Sequence, residues 1–255
     1  MKERLSEQGR LALLAVQFLT RVPLPIDPGY TPLRMAHATR YFPAVGLALG
    51  AVLALVVVLS WLVFPPVVAV LLAVAAGVRL TGALHEDGLA DMADGLGGGQ
   101  TRERALDIMR DSRIGSYGTV TLGLALGLKV GALVGLGAVA PAALIGAHCL
   151  SRLGVLVVSA RLPYARAEGK AGFAAMGPGP GGWTIAWGTG GLAVLILTMW
   201  AGLAATLSAI VAAVVVSLWL MAMLQRRLGG QTGDGLGAIQ QLMEIAIYLG
   251  LLAWV

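Results

Sequence analysis

The chain has 255 residues, of which 58% are hydrophobic and only 12% are charged, with a formal net charge of +5. A soluble globular domain has about 25% charged residues, so this composition excludes an ordinary soluble protein and indicates a membrane protein in contact with the lipid bilayer. The basic residues are spread over short loops and form no patch with interleaved aromatic residues, which excludes a nucleic-acid partner.

The first predicted element is a helix over residues 5–21. Its apolar stretch, 11–19, is too short to cross a membrane core that requires about 20 residues. No small-residue cleavage site of the signal-peptide type follows this stretch. We therefore expect an interfacial or re-entrant helix that is retained in the mature protein.

The rest of the chain is dominated by long apolar segments. Seven of them are long enough to span a membrane. They are residues 43–64, 66–84, 117–138, 140–160, 184–202, 204–224 and 236–255. The predicted fold class is all-α: a polytopic helical membrane bundle of about seven spans, forming one domain over residues 1–255.

Charge is confined to one set of connecting segments. Residues 1–42, 85–116, 161–183 and 225–235 contain 15 of the 18 Lys and Arg residues. With seven spans these segments share one face, and short basic loops remain cytoplasmic. We therefore expect a bacterial or archaeal cytoplasmic (inner) membrane protein, with 85–116 as a cytoplasmic catalytic loop and 225–235 as a second, glycine-rich cytoplasmic loop.

The segment 85–99 contains four carboxylates and no Lys or Arg. On a helix, Asp87, Asp91 and Asp94 would share one face and repel one another. A divalent cation would relieve that repulsion, and hard oxygen ligands favour Mg²⁺. The alternative is a solvated acidic helix end. The pattern predicts that these three residues bind Mg²⁺.

Two glycine-rich stretches accompany the acidic segment. Gly97 and Gly98 would let backbone N–H groups approach an anion closely, although a flexible linker has the same composition. The loop 229–237 contains one acid, Asp234, among its glycines. Asp234 is a candidate N-cap of the last helix, and this role is compatible with metal or substrate binding.

Residues 101–115 are predicted to form a short amphipathic helix with Thr101 as its N-cap. Arg110 and Arg113 are three residues apart and could both contact phosphate oxygens. Asp111 lies four residues after another aspartate, as on a ligand-binding face. The alternative is an interfacial helix whose arginines contact lipid headgroups and whose aspartates pair with arginines of the same helix.

Several ionisable residues fall within the apolar segments, where they usually face the interior of the bundle. Lys129 has no partner nearby in sequence, and Glu244 in the last segment is a candidate partner. His148 and Arg152 are four residues apart and share a helix face. A structural hydrogen bond is favoured over metal ligation for His148.

Five motifs, taken together, give the chain a family resemblance. They are Phe18 to Pro25 (FLTRVPLP), Tyr41 to Gly46 (YFPAVG), His85 to Gly95 (HEDGLADMADG), Ile108 to Gly115 (IMRDSRIG) and Gly229 to Asp234 (GGQTGD) running on to Glu244. Ser151, Arg152 and the stretch 163–166 also match. The chain resembles the adenosylcobinamide-GDP ribazoletransferases, also called cobalamin synthases, over nearly its whole length.

The resemblance implies a transferase that joins adenosylcobinamide-GDP to α-ribazole, or to α-ribazole 5′-phosphate, releases GMP and requires Mg²⁺. The family pattern leaves position 86 open, so Glu86 is a weaker metal candidate than the three aspartates. His85 or one Asp would accept the hydroxyl proton, while Arg110 and Arg113 would hold phosphate oxygens.

The resemblance extends the candidate set. The catalytic candidates are His85, Asp87, Asp91, Asp94, Arg110, Asp111 and Arg113. The substrate-binding candidates are Gly97, Gly98, Arg152 and Asp234. Oligomeric state stays open, and a homo-oligomer is one alternative.

Two other functions remain as alternatives. An alcohol phosphotransferase of lipid metabolism would also use Asp residues and Mg²⁺, but its usual pattern has an Ala-Arg pair after Asp-Gly and wider Asp spacing. A cation-coupled transporter would place acids at the bilayer midplane and broken helices in matched halves. In this sequence most of the acids lie in one loop, and no halves match.

Overall fold

The computed structural model describes residues 6–24, 26–166 and 172–254. Within these ranges all regular structure is helical, apart from one isolated parallel bridge between Tyr164 and Gln231. This confirms the all-α prediction. The predicted ends of the first helix at residue 5 and of the last span at residue 255 lie outside the described ranges.

The described ranges contain eleven α-helices. They are α1 (Glu7–Leu19), α2 (Pro32–Ala38), α3 (Phe42–Ser60), α4 (Pro66–Thr81), α5 (Leu84–Gly98), α6 (Arg102–Ile108), α7 (Ser116–Leu136), α8 (Ala140–Ser159), α9 (Gly182–Ala201), α10 (Leu203–Leu228) and α11 (Gly233–Leu252). The segment 85–116 is therefore mostly helical, and Thr101 caps α6 as expected by accepting a hydrogen bond from the Arg104 N–H.

Five helical runs are long and apolar enough to cross a membrane, compared with seven predicted. A sixth arises if α4 and α5, which meet at an angle of 88°, form one broken span. The predicted spans 117–138 and 140–160 lie in one run of 44 residues, Ser116–Ser159, interrupted by a 3-10 turn after Gly137. Such a run is about 66 Å of helix, over twice the thickness of a membrane core of about 30 Å, so it is long enough to supply both predicted spans.

Helix α11 is the most buried of the five runs and contacts α5, α7, α8 and α10. Helices α3 and α8 pack closely because α3 presents Gly46 and Gly50 to α8. A Cβ added to Gly50 would lie 2.5 Å from the Leu144 carbonyl oxygen, and one added to Gly46 would collide with the His148 carbonyl oxygen. Small residues allow such approach between membrane helices.

Helix α5 turns away from α4 at Gly82 and Ala83, which both adopt left-handed backbone conformations. It then crosses the N-terminal end of α11, where Gly88 meets Gly237. The far end of α5 is held by the Arg227 side chain, which donates hydrogen bonds to the carbonyl oxygens of Leu96 and Gly99. The acidic segment is therefore fixed against the last helix.

Candidate active site

A cavity of about 600 Å³ lies where α5, α8 and α11 meet near α1. One wall is aromatic: the rings of Phe18 and Phe42 stack with centroids 5.6 Å apart, and Phe173 meets Phe18 edge-on at 5.2 Å. The charged and ionisable residues lining the cavity are His85, Asp87, Arg110, Arg152, Arg166 and Asp234. The cavity thus offers carboxylates and cations beside an aromatic surface.

The crossing of α5 and α11 brings acids from two distant segments together. Asp87 and Asp234 both line the cavity. Burial, followed by the negative charges of Asp87, Asp234 and Asp94, raises the pKa of Asp91 to about 7. Arg166 donates a hydrogen bond of 2.7 Å to the Asp234 carboxylate. Asp234 is therefore paired with Arg166, whereas the buried Asp91 lies among carboxylates that repel its negative charge.

The third predicted metal ligand, Asp94, contacts the N-terminus of α7. Its carboxylate accepts hydrogen bonds from the backbone N–H groups of Gly115, at 2.6 Å, and Gly118, at 2.8 Å. These groups belong to the first turn of α7, where backbone N–H groups have no partner within the helix. Asp94 continues the helix face of Asp87 and Asp91, but in the structure it caps α7.

The structure does not bring Gly97 and Gly98 to the cavity. They lie in the last turn of α5, where Gly97 packs against the Tyr117 ring and Gly98 against Ile108. A helix C-terminus presents carbonyl oxygens, which attract cations and repel anions. These glycines permit close packing, and the predicted anion contact has no structural counterpart here.

The two candidate arginines that follow α6, Arg110 and Arg113, lie in different surroundings. Arg110 lines the cavity. Arg113 pairs with Asp111 at 2.7 Å in an exposed turn, and this contact lowers the pKa of Asp111 to about 2. Because α6 ends at Ile108, Arg110 and Arg113 do not share a helix face. The structure therefore brings Arg110 to the cavity and leaves Asp111 and Arg113 outside it.

His85 and Glu86 face different surroundings. His85 lines the cavity, whereas Glu86 is buried and accepts a hydrogen bond of 3.0 Å from the Gln241 side chain. The other carboxylate oxygen of Glu86, Oε2, is buried without a hydrogen-bond partner in the described part of the chain. Glu86 belongs to the interior of the bundle and does not line the cavity.

A buried polar network lies below the cavity. Lys129 and Glu244 form an ion pair of 2.8 Å, which confirms the pairing predicted from sequence. His148 Nδ1 lies 3.0 Å from the other oxygen of Glu244, and Arg152 donates a hydrogen bond of 2.9 Å to the His148 carbonyl oxygen. His148 thus has the hydrogen-bonded role expected.

Sequence reasoning assigned no site role to Arg166, and it took Asp234 both as a candidate N-cap and as a candidate substrate-binding residue. In the structure Thr232 caps α11 by accepting a hydrogen bond from the Gly235 N–H, which leaves the Asp234 carboxylate for Arg166. The placement of Arg166 depends on the backbone pairing of residues 163–165 with Gln231, which no local pattern reveals. The match of the stretch 163–166 to family positions was the available signal.

Among residues 6–24, 26–166 and 172–254, no group of three or more His, Cys, Asp or Glu side chains is arranged so that it could hold a metal ion by itself. Mg²⁺ commonly uses one or two carboxylates and completes its shell with waters and substrate phosphates. The three aspartates predicted to bind Mg²⁺ together, Asp87, Asp91 and Asp94, therefore do not form a preformed three-ligand site in these ranges.

Comparison with known proteins identifies close relatives. A family model described as cobalamin-5-phosphate synthase matches residues 11–252. An adenosylcobinamide-GDP ribazoletransferase of Leptothrix cholodnii is 46% identical over 98% of both chains. Proteins of the same name from Shewanella amazonensis and Vibrio cholerae are 43% and 42% identical, over 95% and 97% of this chain and 94% and 95% of their own. No solved structure matches the chain.

Proposed function

The chain belongs to the cobalamin-5-phosphate synthase family, and from this premise we propose that it joins adenosylcobinamide-GDP to α-ribazole, or to α-ribazole 5′-phosphate. The products are adenosylcobalamin, or its phosphate, and GMP. The chain is a transferase, as are its named relatives. The observation that carries the proposal is the near-complete alignment with these relatives, supported by a cavity that combines carboxylates, arginines and an aromatic wall.

The reaction is a displacement at phosphorus. The ribose hydroxyl oxygen of ribazole forms a bond to the phosphorus attached to cobinamide, and the bond from that phosphorus to the GMP oxygen breaks. The hydroxyl proton passes to a base, for which His85 and Asp87 at the cavity wall are the candidates. Such a transfer depends mainly on positioning and on neutralising charge at the phosphoryl oxygens.

Mg²⁺ fits the carboxylates of this site. The raised pKa of Asp91 reflects burial and uncompensated repulsion from its neighbours, which a divalent cation would offset. One or two of the carboxylates of Asp87, Asp91 and Asp234 would hold the ion together with phosphate oxygens of the substrate. Asp94 is less suited because two backbone N–H groups occupy its carboxylate. When bound, Mg²⁺ neutralises charge on the phosphoryl oxygens.

Side chains at the cavity wall would bind and orient the two substrates. Arg110 and Arg166 lie at the cavity wall, where their guanidinium groups would hold the oxygens of the pyrophosphate. The rings of Phe18, Phe42 and Phe173 would pack against the flat base of ribazole and exclude water from one side. Binding would thus align the hydroxyl with the phosphorus before the transfer.

The location proposed is the cytoplasmic (inner) membrane, with the cavity facing the cytoplasm. Five or six apolar runs support a multi-pass protein. Most of the cavity residues come from the basic segments, and short basic segments remain cytoplasmic. Nucleotide-bearing substrates would reach the site from that side.

The test is direct. Purified protein in detergent is incubated with adenosylcobinamide-GDP, α-ribazole and Mg²⁺, and GMP release is followed together with formation of the joined product. Parallel reactions replace ribazole by its 5′-phosphate, or both substrates by a CDP-alcohol and an alcohol acceptor. Stoichiometric GMP and joined product are expected in the first two cases. Turnover of the CDP-alcohol alone, or uptake of a solute into proteoliposomes with no GMP, would refute the proposal.

A further inference from the structure

A buried ion network extends from the floor of the cavity into the bundle. Lys129, Arg152 and Glu244 are at most 6% exposed. Of these three, Arg152 lines the cavity, whereas Lys129 lies thirteen residues into α7, about 20 Å along the helix. Ionised groups at such depth are costly and usually serve a function.

The two cations of this network, Lys129 and Arg152, lie at different distances from the Glu244 carboxylate. Lys129 Nζ lies 2.8 Å from Glu244 Oε2, and Lys129 also donates a hydrogen bond of 2.7 Å to the Gln241 side chain. Arg152 Nη1 lies 3.6 Å from Glu244 Oε1, too far for a hydrogen bond. Lys129 is therefore the closest cation to Glu244, whose Oε1 is contacted by His148 Nδ1, at 3.0 Å, and by the Gln240 side-chain amide.

Arg152 consequently has no hydrogen-bonded carboxylate partner among the described residues. Within the described ranges Glu244 is the one carboxylate that lies within 4.0 Å of its guanidinium. Its Nε is buried and has no hydrogen-bond partner in those ranges, while Nη1 is directed to His148. Buried charges are normally paired, and the cavity beside Arg152 is where a further anion can enter.

We propose that Lys129 and Glu244 are positioning residues that keep Arg152 available to an anionic group of the substrate. Lys129 binds the Glu244 carboxylate, so that Glu244 anchors the network without forming a full ion pair with Arg152. The identity of the anion as a pyrophosphate rests on the proposed function, whereas the division of charge rests on the distances alone.

If Lys129 and Glu244 position Arg152, substitutions of these two residues change anion binding in a pattern that a purely structural role would not produce. In Lys129→Gln, the Glu244 carboxylate loses its closest cation and pairs with Arg152, so anion binding in the cavity falls although Lys129 does not line it. In Lys129→Gln/Glu244→Gln, the competing charge is gone and the amide oxygen still accepts hydrogen bonds. Adding the second substitution therefore restores binding.

The experiment measures binding of inorganic pyrophosphate, in buffer with Mg²⁺, to purified wild-type and variant protein by titration calorimetry. Thermal unfolding and gel filtration establish that each variant is folded. We expect about tenfold weaker binding for Lys129→Gln and for Arg152→Gln, a loss of roughly 1.4 kcal/mol, and recovery to within about threefold of wild type for the double variant.

Two results would overturn the proposal: unchanged affinity in Lys129→Gln, or a double variant that binds as weakly as Arg152→Gln. If Lys129→Gln does not accumulate, the comparison of the double variant with Arg152→Gln and wild type decides alone, because the double variant leaves no unpaired charge at either position. Failure of the proposed function would show separately, as absence of GMP release by wild-type protein.

Discussion

Gly88 of α5 lies against Gly237 of α11, and a Cβ added to Gly88 would be 3.0 Å from the Asp234 carbonyl oxygen and 3.3 Å from the Gly237 Cα. This contact sets the distance between the two helices that carry Asp87, Asp91 and Asp234. The carboxylates are close because neither helix has a side chain at the crossing point.

Gly88→Ala is expected to push α5 from α11, lower stability by about 1–3 kcal/mol and reduce transferase activity at least tenfold. Thermal unfolding and GMP release measure the two effects. Gly123→Ala is the matched control, because a Cβ there meets no atom within 4 Å and alanine favours the helix. Equal activity of the two variants would contradict this role of the crossing.

Asp91→Asn is expected to abolish GMP release and, in the absence of Mg²⁺, to raise the melting temperature by about 2 °C, because one of several repelling charges is removed. Mg²⁺ should raise the melting temperature of wild-type protein and have little effect on this variant. Asp107→Asn, an exposed position on α6, should behave as wild type. An active Asp91→Asn enzyme with normal Mg²⁺ dependence would disprove the assignment.

Asp94→Ala is expected to cost about 1–2 kcal/mol, because the first turn of α7 loses its acceptor. Asp94→Asn keeps one acceptor oxygen, which can serve one of the two backbone N–H groups, and should retain about half of the activity per folded molecule. Thermal unfolding and initial rates separate the two effects. If Asp94→Asn were folded yet as inactive as Asp91→Asn, Asp94 would be a metal ligand, as its position on the helix face predicts.

Arg166→Gln is expected to raise the KM for adenosylcobinamide-GDP about tenfold, because the cavity loses a cation and Asp234 loses its partner. Arg161→Gln is the control, since Arg161 is exposed and its side chain bonds only the Val157 carbonyl oxygen of α8 among the described residues. Steady-state kinetics measure both. An unchanged KM in Arg166→Gln would exclude a substrate contact.

Sequence reasoning succeeded where chemistry alone decides the outcome. Lys129 and Glu244 stand in apolar segments, where an ionised group needs a partner, and the structure pairs them. The spacing of Asp87 and Asp91 predicted a shared helix face, and both lie on α5. Burial cost and helical periodicity are local enough to be read from one chain.

Sequence reasoning failed where the hydrogen-bond partner of a side chain lies outside the helix that was predicted for it. Asp94 lies on the same helix face as Asp91, but its carboxylate accepts a hydrogen bond from the Gly115 N–H. A helical wheel does not show this contact, because Gly115 lies outside α5. The helix predicted to continue to residue 115 ends at Ile108, because Asp111 accepts a hydrogen bond from the Arg113 N–H and so stabilises a turn. Side chains that can bond either to phosphate or to their own backbone do not reveal the choice in sequence.

The crossing of α5 and α11 also fixes when the site can exist during synthesis. Gly88 and Asp234 are 146 residues apart, which is roughly 7–30 s of translation at typical rates. Until the last helix leaves the ribosome, the nascent chain carries the acids of α5 without the helix that covers them. Because residues of both helices line the cavity, it cannot form until α11 has been synthesised.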